Sequence, residues 1–526
     1  MRLGVRSLGY AVWGFGVWAC SSGEASPGED PSAQDGGVDS AVATDSSTPV
    51  PTATTVTVAL TPDGTDVTGS QRVNFAVPLA SGQLNDATLV RVTNDGGTEL
   101  AAAVRVLAKY GNGSVRSLQV QIEAEVPATK SVRVSFGSAR TLPDLTIVPV
   151  ESTLRDASGE RGPKVYAMLP AEWIAASGVV GPLLPATSVA KPELKTWSTV
   201  CDYSKFETKA FLSQGYATTR AVWLYDRGTA FYRGYGFTGD IVPLKSAYRE
   251  TAMMRNRITG KGKAARNGLP EGASTDVKYQ YAQNLAIHYL MTGDDRFRES
   301  AEDMALGMTA LWPDPGYAGG NDAWTERSAG FALLAYVWAA MVSDDQRDAI
   351  MKEADRAVDA YVALQEKYPV GYADADHRCF AHHGNAHDPE EGNPYFGCSP
   401  WMSAILADAM DAYQRETDAT RASTVKTSII KLGRMIARDG RDKTNRPYYW
   451  MGAGNGQNAP DEYDEHVGES AYVVAMARHF VGKADAELDG ALAALLTKFA
   501  ADGEAGQLRS FNWQCRSAVA TPYFAR

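Results

Sequence analysis

Residues 329–342 read AGFALLAYVWAAMV, and residues 401–410 read WMSAILADAM. Both segments are apolar on nearly every side, which is typical of helices that are buried all round. Residues 345–368 follow the first segment and have a different pattern, because their apolar residues recur at helical spacing on one face. A buried helix followed by an amphipathic one predicts a helical hairpin with an inner and an outer member.

This pattern recurs along the C-terminal part of the chain. Each apolar helix ends in a small residue followed by an aspartate, at Asp240, Asp294, Asp344, Asp418 and Asp485. We expect these aspartates to cap the outer helices that follow them. Repetition at such a period indicates stacked or closed helical arrays, and an inner ring covered by an outer ring explains both helix types. We therefore predict an (α/α) toroid of five or six hairpins over residues 198–526.

The part of the chain before the helices alternates with a period of two residues. Short alternating runs between Val56 and Val150 are separated by glycine-rich turns such as Asp95-Gly96-Gly97, which predicts a small antiparallel sandwich or barrel. The runs lie at residues 57–60, 73–77, 90–92, 104–107, 118–122 and 132–136. With a Pro- and Gly-punctuated connector over residues 151–197, the chain is predicted to be multidomain, α and β, with a β domain at 56–150 in front of the helices.

The N-terminus has the features of an export signal. Arg2 and Arg6 precede an apolar run over residues 8–19 that is too short to span a bilayer, and Cys20 follows it. We interpret residues 1–19 as a signal peptide and Cys20 as the lipidated residue of a bacterial lipoprotein at the outer membrane or cell surface. A plain signal-peptidase site is the alternative. Residues 20–55 carry no basic or aromatic residue, which is typical of a disordered acidic tether.

Composition and cysteine content narrow the possible functions. The 526 residues carry a formal charge of −11, with 44% hydrophobic residues, so the chain is neither wholly disordered nor suited to bind nucleic acid. Besides Cys20, four cysteines remain in an oxidising compartment, where disulfides persist. Three pairings are possible. We favour Cys379 with Cys398, which closes a short loop, and Cys201 with Cys515, which ties the two ends of the helical part.

The segments that lead into the inner helices of a toroid open at the same end, so their residues converge. Five such segments are rich in Trp, Tyr, His, Arg and carboxylates, which stack on sugar rings and bind their hydroxyl or acid groups. They are residues 223–227, 276–281, 324–327, 377–401 and 461–469. From them we expect substrate to be bound by Trp223, Asp226, Arg227, Lys278, Trp324, Glu326, His382, Asn385, His387, Trp401 and Glu469.

Residues 377–388 hold four of the seven histidines of the chain. His383 and His387 have a spacing that suits zinc on a helix, but Gly384 and Asn385 favour a loop, and we predict no metal and no cofactor. We interpret the segment as a catalytic or substrate-binding loop in which His383 serves as a base. The alternative is a solvated loop whose histidines hold other loops in place.

His466 and Glu469 enter an apolar helix directly after a run of acidic residues, and Glu326 and Arg327 occupy the same position in an earlier repeat. We expect functional roles for these residues. The alternatives are that the acids favour a helix start and that Glu326 and Arg327 form salt bridges to neighbouring loops.

Other polar residues receive structural assignments. His288 and His479 lie within apolar runs, where a core histidine with its hydrogen bonds satisfied is expected. Two alternating acids, Asp374 and Asp376, are too weak a pattern to predict a calcium site.

Two resemblances to known families agree with these patterns. Residues 77–82 (VPLASG) and 110–116 (YGNGSVR) resemble the small front β-barrel domain of exo-rhamnogalacturonan lyase-like proteins, although Asn112 and Ser117 stand where that family usually has Asp and Trp. The helical repeats resemble the six-hairpin, α/α-toroid carbohydrate-active enzymes, many of which carry a β domain in front.

These resemblances imply an enzyme that degrades polysaccharides. We expect a lyase that cleaves uronate-containing glycans by β-elimination, a reaction that needs a base, an acid and a group that binds the carboxylate. The candidates for these roles are His383, His466, Tyr279 and Arg327. A glycoside hydrolase with a carboxylate pair is an alternative, and a surface protein that binds glycans without catalysis is another.

Overall fold

The computed structural model describes residues 54–195, 200–213, 223–268, 272–316, 324–367, 374–383, 386, 396–452, 458–460, 466–502 and 508–526. The predicted signal peptide, Cys20 and nearly all of the predicted tether lie outside the described residues. Within the described ranges, no helix combines the length and apolarity needed to span a bilayer.

Two antiparallel sheets are built mainly from the predicted runs. Their strands are β1 (Thr55–Pro62), β2 (Gly69–Pro78), β3 (Val90–Asn94), β4 (Glu99–Leu100), β5 (Ala102–Lys109), β6 (Val115–Val126), β7 (Ser131–Phe136) and β8 (Val165–Met168). One sheet has the order β4-β3-β7-β1-β8, and the other has the order β2-β6-β5. All six predicted runs are strands. Alternation buries one side of β1, where Val56, Val58 and Leu60 are buried, whereas the runs in β2 and β6 are buried on both sides.

The predicted connector is an integral part of the fold. Its strand β8 pairs antiparallel with β1, and its helix α1 (Ala171–Ser177) buries Trp173, whose ring stacks on Phe136 with centroids 5.8 Å apart. The Trp173 indole N–H donates a hydrogen bond to the Pro78 carbonyl at 2.7 Å. Buried side chains of the sheets and of the helices form one continuous core, so the described strands and helices belong to one compact unit.

Helices make up the rest of the chain. They are α2 (Pro192–Lys195), α3 (Thr208–Ser213), α4 (Arg227–Thr238), α5 (Ile241–Asn256), α6 (Gln283–Thr292), α7 (Asp295–Leu311), α8 (Glu326–Val342), α9 (Arg347–Lys367), α10 (Ser403–Gln414), α11 (Ala419–Asp439), α12 (Val467–Val481), α13 (Ala486–Asp502), α14 (Leu508–Arg516) and α15 (Thr521–Phe524). Short strand pairs lie between them: β9 (Ile258–Thr259) with β10 (Arg266–Asn267), β11 (His382–His383) with β12 (Phe396–Gly397), and β13 (Tyr448–Trp450) with β14 (Ala459–Pro460).

Buried and half-buried helices alternate along the chain, as predicted. Nearly every residue of α4, α6, α8, α10 and α12 is buried, whereas α7, α9, α11 and α13 bury one face. The buried helices pack side by side in the order α4, α6, α8, α10, α12 and α14, and α14 packs back on α4. The amphipathic helices lie against the buried ones from outside this series, for example α9 on α8.

The predicted helix stops are largely confirmed. Helices α4, α6 and α12 end at glycines with positive φ, Gly239, Gly293 and Gly482, a conformation that glycine adopts at low cost. Asp294 and Asp418 then accept hydrogen bonds from backbone N–H groups in the first turns of α7 and α11. At Asp240 the expected cap was wrong, because the side chain makes no capping hydrogen bond to α5.

Both favoured disulfides are present. Cys201 is bonded to Cys515, which joins the segment before α3 to α14. Cys379 is bonded to Cys398, which brackets the strand pair β11–β12. The first bond ties the ends of the helical part, and the second ties a lead-in segment.

Candidate functional site

The segments that precede the buried helices meet at one end of those helices. Tyr225, which precedes α4, contacts Trp401, which precedes α10, and Trp401 contacts His466, which precedes α12. The β part contacts the opposite ends, where the Asn74 side chain donates a hydrogen bond to the Thr292 carbonyl at 2.8 Å. The lead-in end therefore holds the candidate site.

Five side-chain rings form what we call the aromatic cluster: Tyr225, Trp401, Tyr449, His466 and Trp513. Trp401 lies at its centre, with its ring centroid 4.3 Å from that of His466, 5.6 Å from Trp513, 5.7 Å from Tyr449 and 5.9 Å from Tyr225. The five rings come from five separate segments of the chain, so the cluster is a product of the tertiary fold. A set of aromatic rings with a few polar groups is typical of a small-molecule or saccharide site.

Tyr225 has an unusual backbone conformation. Its φ is +75°, and the next residue, Asp226, has a φ of +59°. Left-handed backbone at two consecutive non-glycine residues is uncommon, and such strain is concentrated at functional sites. The Tyr225 amide donates a hydrogen bond to the Tyr281 hydroxyl at 3.0 Å, and Asp226 caps α4 by accepting from the Thr229 amide. These contacts hold the Tyr225 ring in the cluster.

Arg327 brings a positive charge to the cluster. Its Nη1 donates a hydrogen bond to the Tyr225 hydroxyl at 3.0 Å, and its guanidinium carbon lies 5.8 Å from the Trp401 ring centroid. Burial alone would lower the pKa of Arg327, but the adjacent Tyr225 outweighs that effect and the net pKa is raised. The half-buried guanidinium is therefore charged at every physiological pH and suits a carboxylate.

His466 stacks flat on Trp401, with the two rings inclined by 6°. Its Nδ1 lies 3.9 Å from a carboxylate oxygen of Glu469 in the first turn of α12, and both side chains are buried. An imidazole held between an indole and a carboxylate is suited to proton transfer. The structure thus brings together four predicted site residues: Arg327, Trp401, His466 and Glu469.

A second group lies next to the aromatic cluster. The Glu326 and His382 side chains are both 0% exposed, and Nδ1 of His382 lies 2.7 Å from Oε2 of Glu326. The other carboxylate oxygen of Glu326 accepts a hydrogen bond from the Ser399 amide at 2.9 Å. Trp450 packs edge-on against the His382 ring at 4.8 Å, and Trp324 lies at 6.3 Å.

Arg227, Asp226 and Trp223 lie in the core, where their contacts are with other parts of the protein, and the substrate contacts expected for them stay a prediction. The Arg227 guanidinium donates to both carboxylate oxygens of Glu250, to the Phe206 carbonyl and to Asn512. Burial raises the pKa of Asp226, although Arg516 and hydrogen-bond donors oppose that shift. Trp223 packs edge-on against Phe211 at 5.1 Å.

The remaining candidates lie at the edge of the site or outside the described residues. Lys278 pairs with Asp276 at 2.9 Å beside the half-buried Tyr279. His383 contacts the Phe396 ring across the β11–β12 pair, so it lies in a strand and not on a helix with zinc-binding spacing. Asn385, His387 and the acidic run 461–465 lie outside the described residues.

Beneath the aromatic cluster lies a buried polar layer. Asp408 accepts hydrogen bonds from Arg233 at 2.8 Å and from Tyr472 at 3.0 Å, and it pairs with Arg516 at 3.1 Å. Burial opposes ionisation of Asp408, but the two arginines outweigh it and its pKa is lowered. Arg516 also contacts Phe331, whose ring lies 6.1 Å from Tyr225, so this layer supports the floor of the cluster.

Metal ligands are not assembled in the described part of the chain. There, no group of three or more His, Cys, Asp or Glu side chains is close enough to hold an ion. Cys379 and Cys398, the sulfur ligands nearest the histidines in sequence, are consumed by their disulfide.

Three cluster residues were not among the sequence-based candidates: Tyr225, Tyr449 and Trp513. Tyr225 lies inside a predicted lead-in and could have been chosen there. Trp513 belongs to the polar segment LRSFNWQCR (508–516), which carries none of the apolar signature of a buried helix. Tyr449 lies in β13, in a connection that the repeat pattern does not mark.

Comparisons with known proteins give little further information. No protein-family model matches the sequence, and no curated protein matches it. Among solved structures the chain is similar to the cellobiose 2-epimerase of Bacillus thermoamylovorans B4167, with 15% sequence identity, coverage of 53% of this chain and 74% of that chain, and a TM-score of 0.36. A likeness of this size carries no argument about the activity of the present chain.

Proposed function

We propose that the buried helices form a closed α/α toroid and that the protein is a polysaccharide lyase with the aromatic cluster at its active site. The series of contacts from α4 round to α14 and back to α4 supports closure. The substrate class that fits is a uronate-containing glycan, because the site combines stacking rings with a fixed positive charge.

The observation that carries this proposal is the arrangement of three polar groups around one indole. His466 stacks on Trp401 at 4.3 Å, the Arg327 guanidinium lies 5.8 Å from the same ring, and Arg327 is bonded to the Tyr225 hydroxyl at 3.0 Å. An imidazole, a guanidinium and a phenol are the three kinds of group that β-elimination at a uronate requires.

In the proposed reaction Arg327 binds the uronate carboxylate and stabilises the negative charge that develops when the neighbouring C5–H proton is removed. His466 takes that proton, and the electron pair forms the C4=C5 double bond as the C4–O bond breaks. The Tyr225 hydroxyl gives its proton to the departing glycosidic oxygen. The products are a new chain end and an unsaturated uronate, so atoms and electrons balance without a cofactor. Tyr279 and His383 remain candidates for substrate contact at the edge of the site.

The surroundings of the carboxylates favour elimination over hydrolysis. A hydrolase needs two carboxyl groups that face the sugar from opposite sides. Asp226 accepts hydrogen bonds from Thr229 and from Asn284, and Glu326 is held by Ser399 and the adjacent His382. Of the candidate carboxylates, only Glu469 lies beside the aromatic cluster, and it faces His466, so no pair of carboxylates is assembled at the cluster among the described residues.

We further propose that the protein acts outside the cytoplasm, tethered through a lipid on Cys20. The two disulfides support an oxidising compartment. The β part in front of the helices, predicted from its resemblance to exo-rhamnogalacturonan lyase-like proteins, is proposed as a structural partner of the toroid, because it packs on α6 and α8.

The proposal is tested with the protein from residue 54 onward and a panel of uronate-containing and neutral polysaccharides. Ultraviolet absorbance reports the unsaturated uronate, and a reducing-end assay reports any cleavage. We expect new absorbance that is lost in His466→Gln and in Tyr225→Phe. The control variant is His479→Gln, which changes the same residue type in the last turn of α12, at the opposite end of the helix from His466. Reducing ends without absorbance would replace the lyase with a hydrolase, and binding without any product would indicate a glycan-binding protein.

A further inference from the structure

The Glu326–His382 pair is not used by the proposed reaction, although it is among the most enclosed polar contacts of the described chain. Both side chains are 0% exposed, and the Nδ1–Oε2 distance is 2.7 Å. Enclosing a carboxylate is unfavourable unless its oxygens are satisfied, and here the Ser399 amide donates to Oε1 at 2.9 Å while His382 meets Oε2. The Oε1 atom of Glu326 therefore has a hydrogen bond, and its Oε2 atom has a close charged contact with the His382 ring.

This contact joins two lead-in segments, 324–327 and 377–401. Glu326 begins α8 and is followed directly by Arg327. His382 lies in β11, and Ser399 lies two residues before Trp401, the centre of the aromatic cluster. The Ser399 hydroxyl also donates to the Tyr449 carbonyl at 2.8 Å, so the segment that carries Trp401 is fixed from two sides.

The strand that carries His382 is itself held rigidly. His382 pairs with Gly397 in the β11–β12 ladder, and the Cys379–Cys398 disulfide closes the same loop. Cys398 exchanges two backbone hydrogen bonds with Met451, each 2.8 Å long, next to Trp450. Because the backbone at both ends of the contact is fixed, the side chains meet in one geometry, which is what selects a single imidazole tautomer.

We propose that Glu326 is a positioning residue: it fixes His382 in the tautomer with hydrogen on Nδ1 and, through Ser399, sets the position of Trp401. Oε2 lies 2.7 Å from Nδ1, so a hydrogen on Nδ1 faces the negative carboxylate, whereas a lone pair there would be repelled by it, and we infer that the lone pair of the ring lies on Nε2. A carboxylate behind an imidazole is a general way of orienting that ring. The effect of Glu326 on turnover rests on the proposed lyase function, but its effect on the His382 tautomer does not.

The informative substitution is Glu326→Gln, because Ser399 determines which way the new amide faces. The Ser399 N–H needs an acceptor, so the glutamine oxygen must stay on that side. The glutamine NH2 group then points at His382 and can only donate, which forces Nδ1 to become the acceptor. The variant should therefore keep its shape and reverse the tautomer.

The tautomer is measured on the protein from residue 54 onward with 15N-labelled histidine, by long-range 1H–15N correlation spectra. The His382 signals are identified by their absence in His382→Gln. We expect the Nδ1–H form in the wild type, the Nε2–H form in Glu326→Gln, and no change in Glu302→Gln, which makes the same change on a largely buried carboxylate of α7. A wild-type ring that exchanges between both forms, or one that is unchanged in Glu326→Gln, would overturn the inference whether or not any polysaccharide is cleaved.

Kinetics separate the positioning role from a purely structural one. If the lyase activity is found, Glu326→Ala should lower kcat by about 10²-fold or more, because it removes the acceptor of the Ser399 N–H and frees the segment that carries Trp401, whereas Glu326→Gln, which keeps that acceptor, should retain kcat within about threefold. The melting temperature of Glu326→Gln should stay close to that of Glu302→Gln. A proportional loss of kcat and of folded protein would reduce Glu326 to a structural residue.

Discussion

Arg227 and Arg327 lie at the starts of α4 and α8, but the structure gives them different surroundings, from which we expect a structural role for Arg227 and a role at the proposed site for Arg327, and a pair of substitutions can separate the two. Arg227→Ala removes the partner of Glu250 from a contact in which the two side chains are 0% and 1% exposed. Arg327→Ala removes a half-buried guanidinium with one hydrogen bond, to Tyr225, and one ring contact, to Trp401.

The expected stability losses follow from these contacts. Removing one partner of a buried ion pair costs about 3–5 kcal/mol, because the other charge stays buried without compensation. Thr208 still donates to Glu250 after the substitution, at 2.8 Å, which favours the lower half of that range. Arg327→Ala loses one charged hydrogen bond and one cation–π contact, together about 1–3 kcal/mol. Arg227→Ala should therefore be the less stable variant.

Denaturant unfolding followed by tryptophan fluorescence measures the stability, and lyase activity is measured on folded protein only. We expect Arg227→Ala to unfold at a much lower denaturant concentration while its folded fraction keeps activity. Arg327→Ala should unfold between the wild type and Arg227→Ala and lose activity by about 10²-fold or more. The double variant Arg227→Met/Glu250→Leu should recover much of the lost stability, because it leaves no unpaired charge. A wild-type midpoint for Arg227→Ala together with lost activity would refute the assignment.

Three further predictions concern parts of the molecule away from this pair. Replacing both Cys201 and Cys515 by Ser should lower the free energy of unfolding by about 5 kcal/mol, and replacing Cys379 and Cys398 should lower it by about 3 kcal/mol, because the bonds span 314 and 19 residues. Only the second replacement should also displace His382, and the histidine spectra would detect that displacement. Burial lowers the pKa of His288 to about 3, below its unfolded value of about 6.5. The contribution of the neutral His288 to stability is therefore complete above about pH 6.5 and is lost as the pH falls toward 3. Melting curves of His288→Gln should show a smaller loss of stability over that pH range, and a loss equal to that of the wild type would contradict this prediction. Asn74→Ala leaves the Thr292 carbonyl and the Gln119 amide without their buried partner, which should lower the free energy of unfolding by about 1–3 kcal/mol. The control variant Asn112→Ala, in an exposed turn, should melt at the same temperature as the wild type.

Periodicity predicted the helices and strands because burial on one side or on all sides leaves a direct trace in the sequence. The apolar side chains at 329–342 cover every side of a helix and can be removed from water only inside the protein, and α8 is indeed buried except for Arg327 near its start. The connector was underestimated for the complementary reason. β8 is only four residues long, and its pairing with β1 depends on a strand about a hundred positions earlier.

The site residues were harder to predict, because their roles depend on which partners the fold supplies. Arg227 and Arg327 follow an acidic residue in the same way, and each begins a buried helix. Arg227 meets Glu250 because α5 packs on α4. Arg327 instead meets Tyr225 and Trp401, which come from other segments of the chain. Both arginines follow an acidic residue at the start of a buried helix, so this pattern alone does not distinguish the buried arginine from the one that we propose for the site.

Helix α14 shows how closely the site depends on the closing of the helical series. Its nine residues contact both α12 and α4, and Cys515 bonds it to Cys201. The same helix contributes Trp513 to the aromatic cluster and Arg516 to the layer beneath it. Its buried Asn512 accepts a hydrogen bond from Arg227 of α4 at 3.1 Å. The last helix therefore contacts both α12 and α4 and supplies one ring of the cluster, so we expect that loosening α14 from α4 would remove Trp513 from its place beside Trp401.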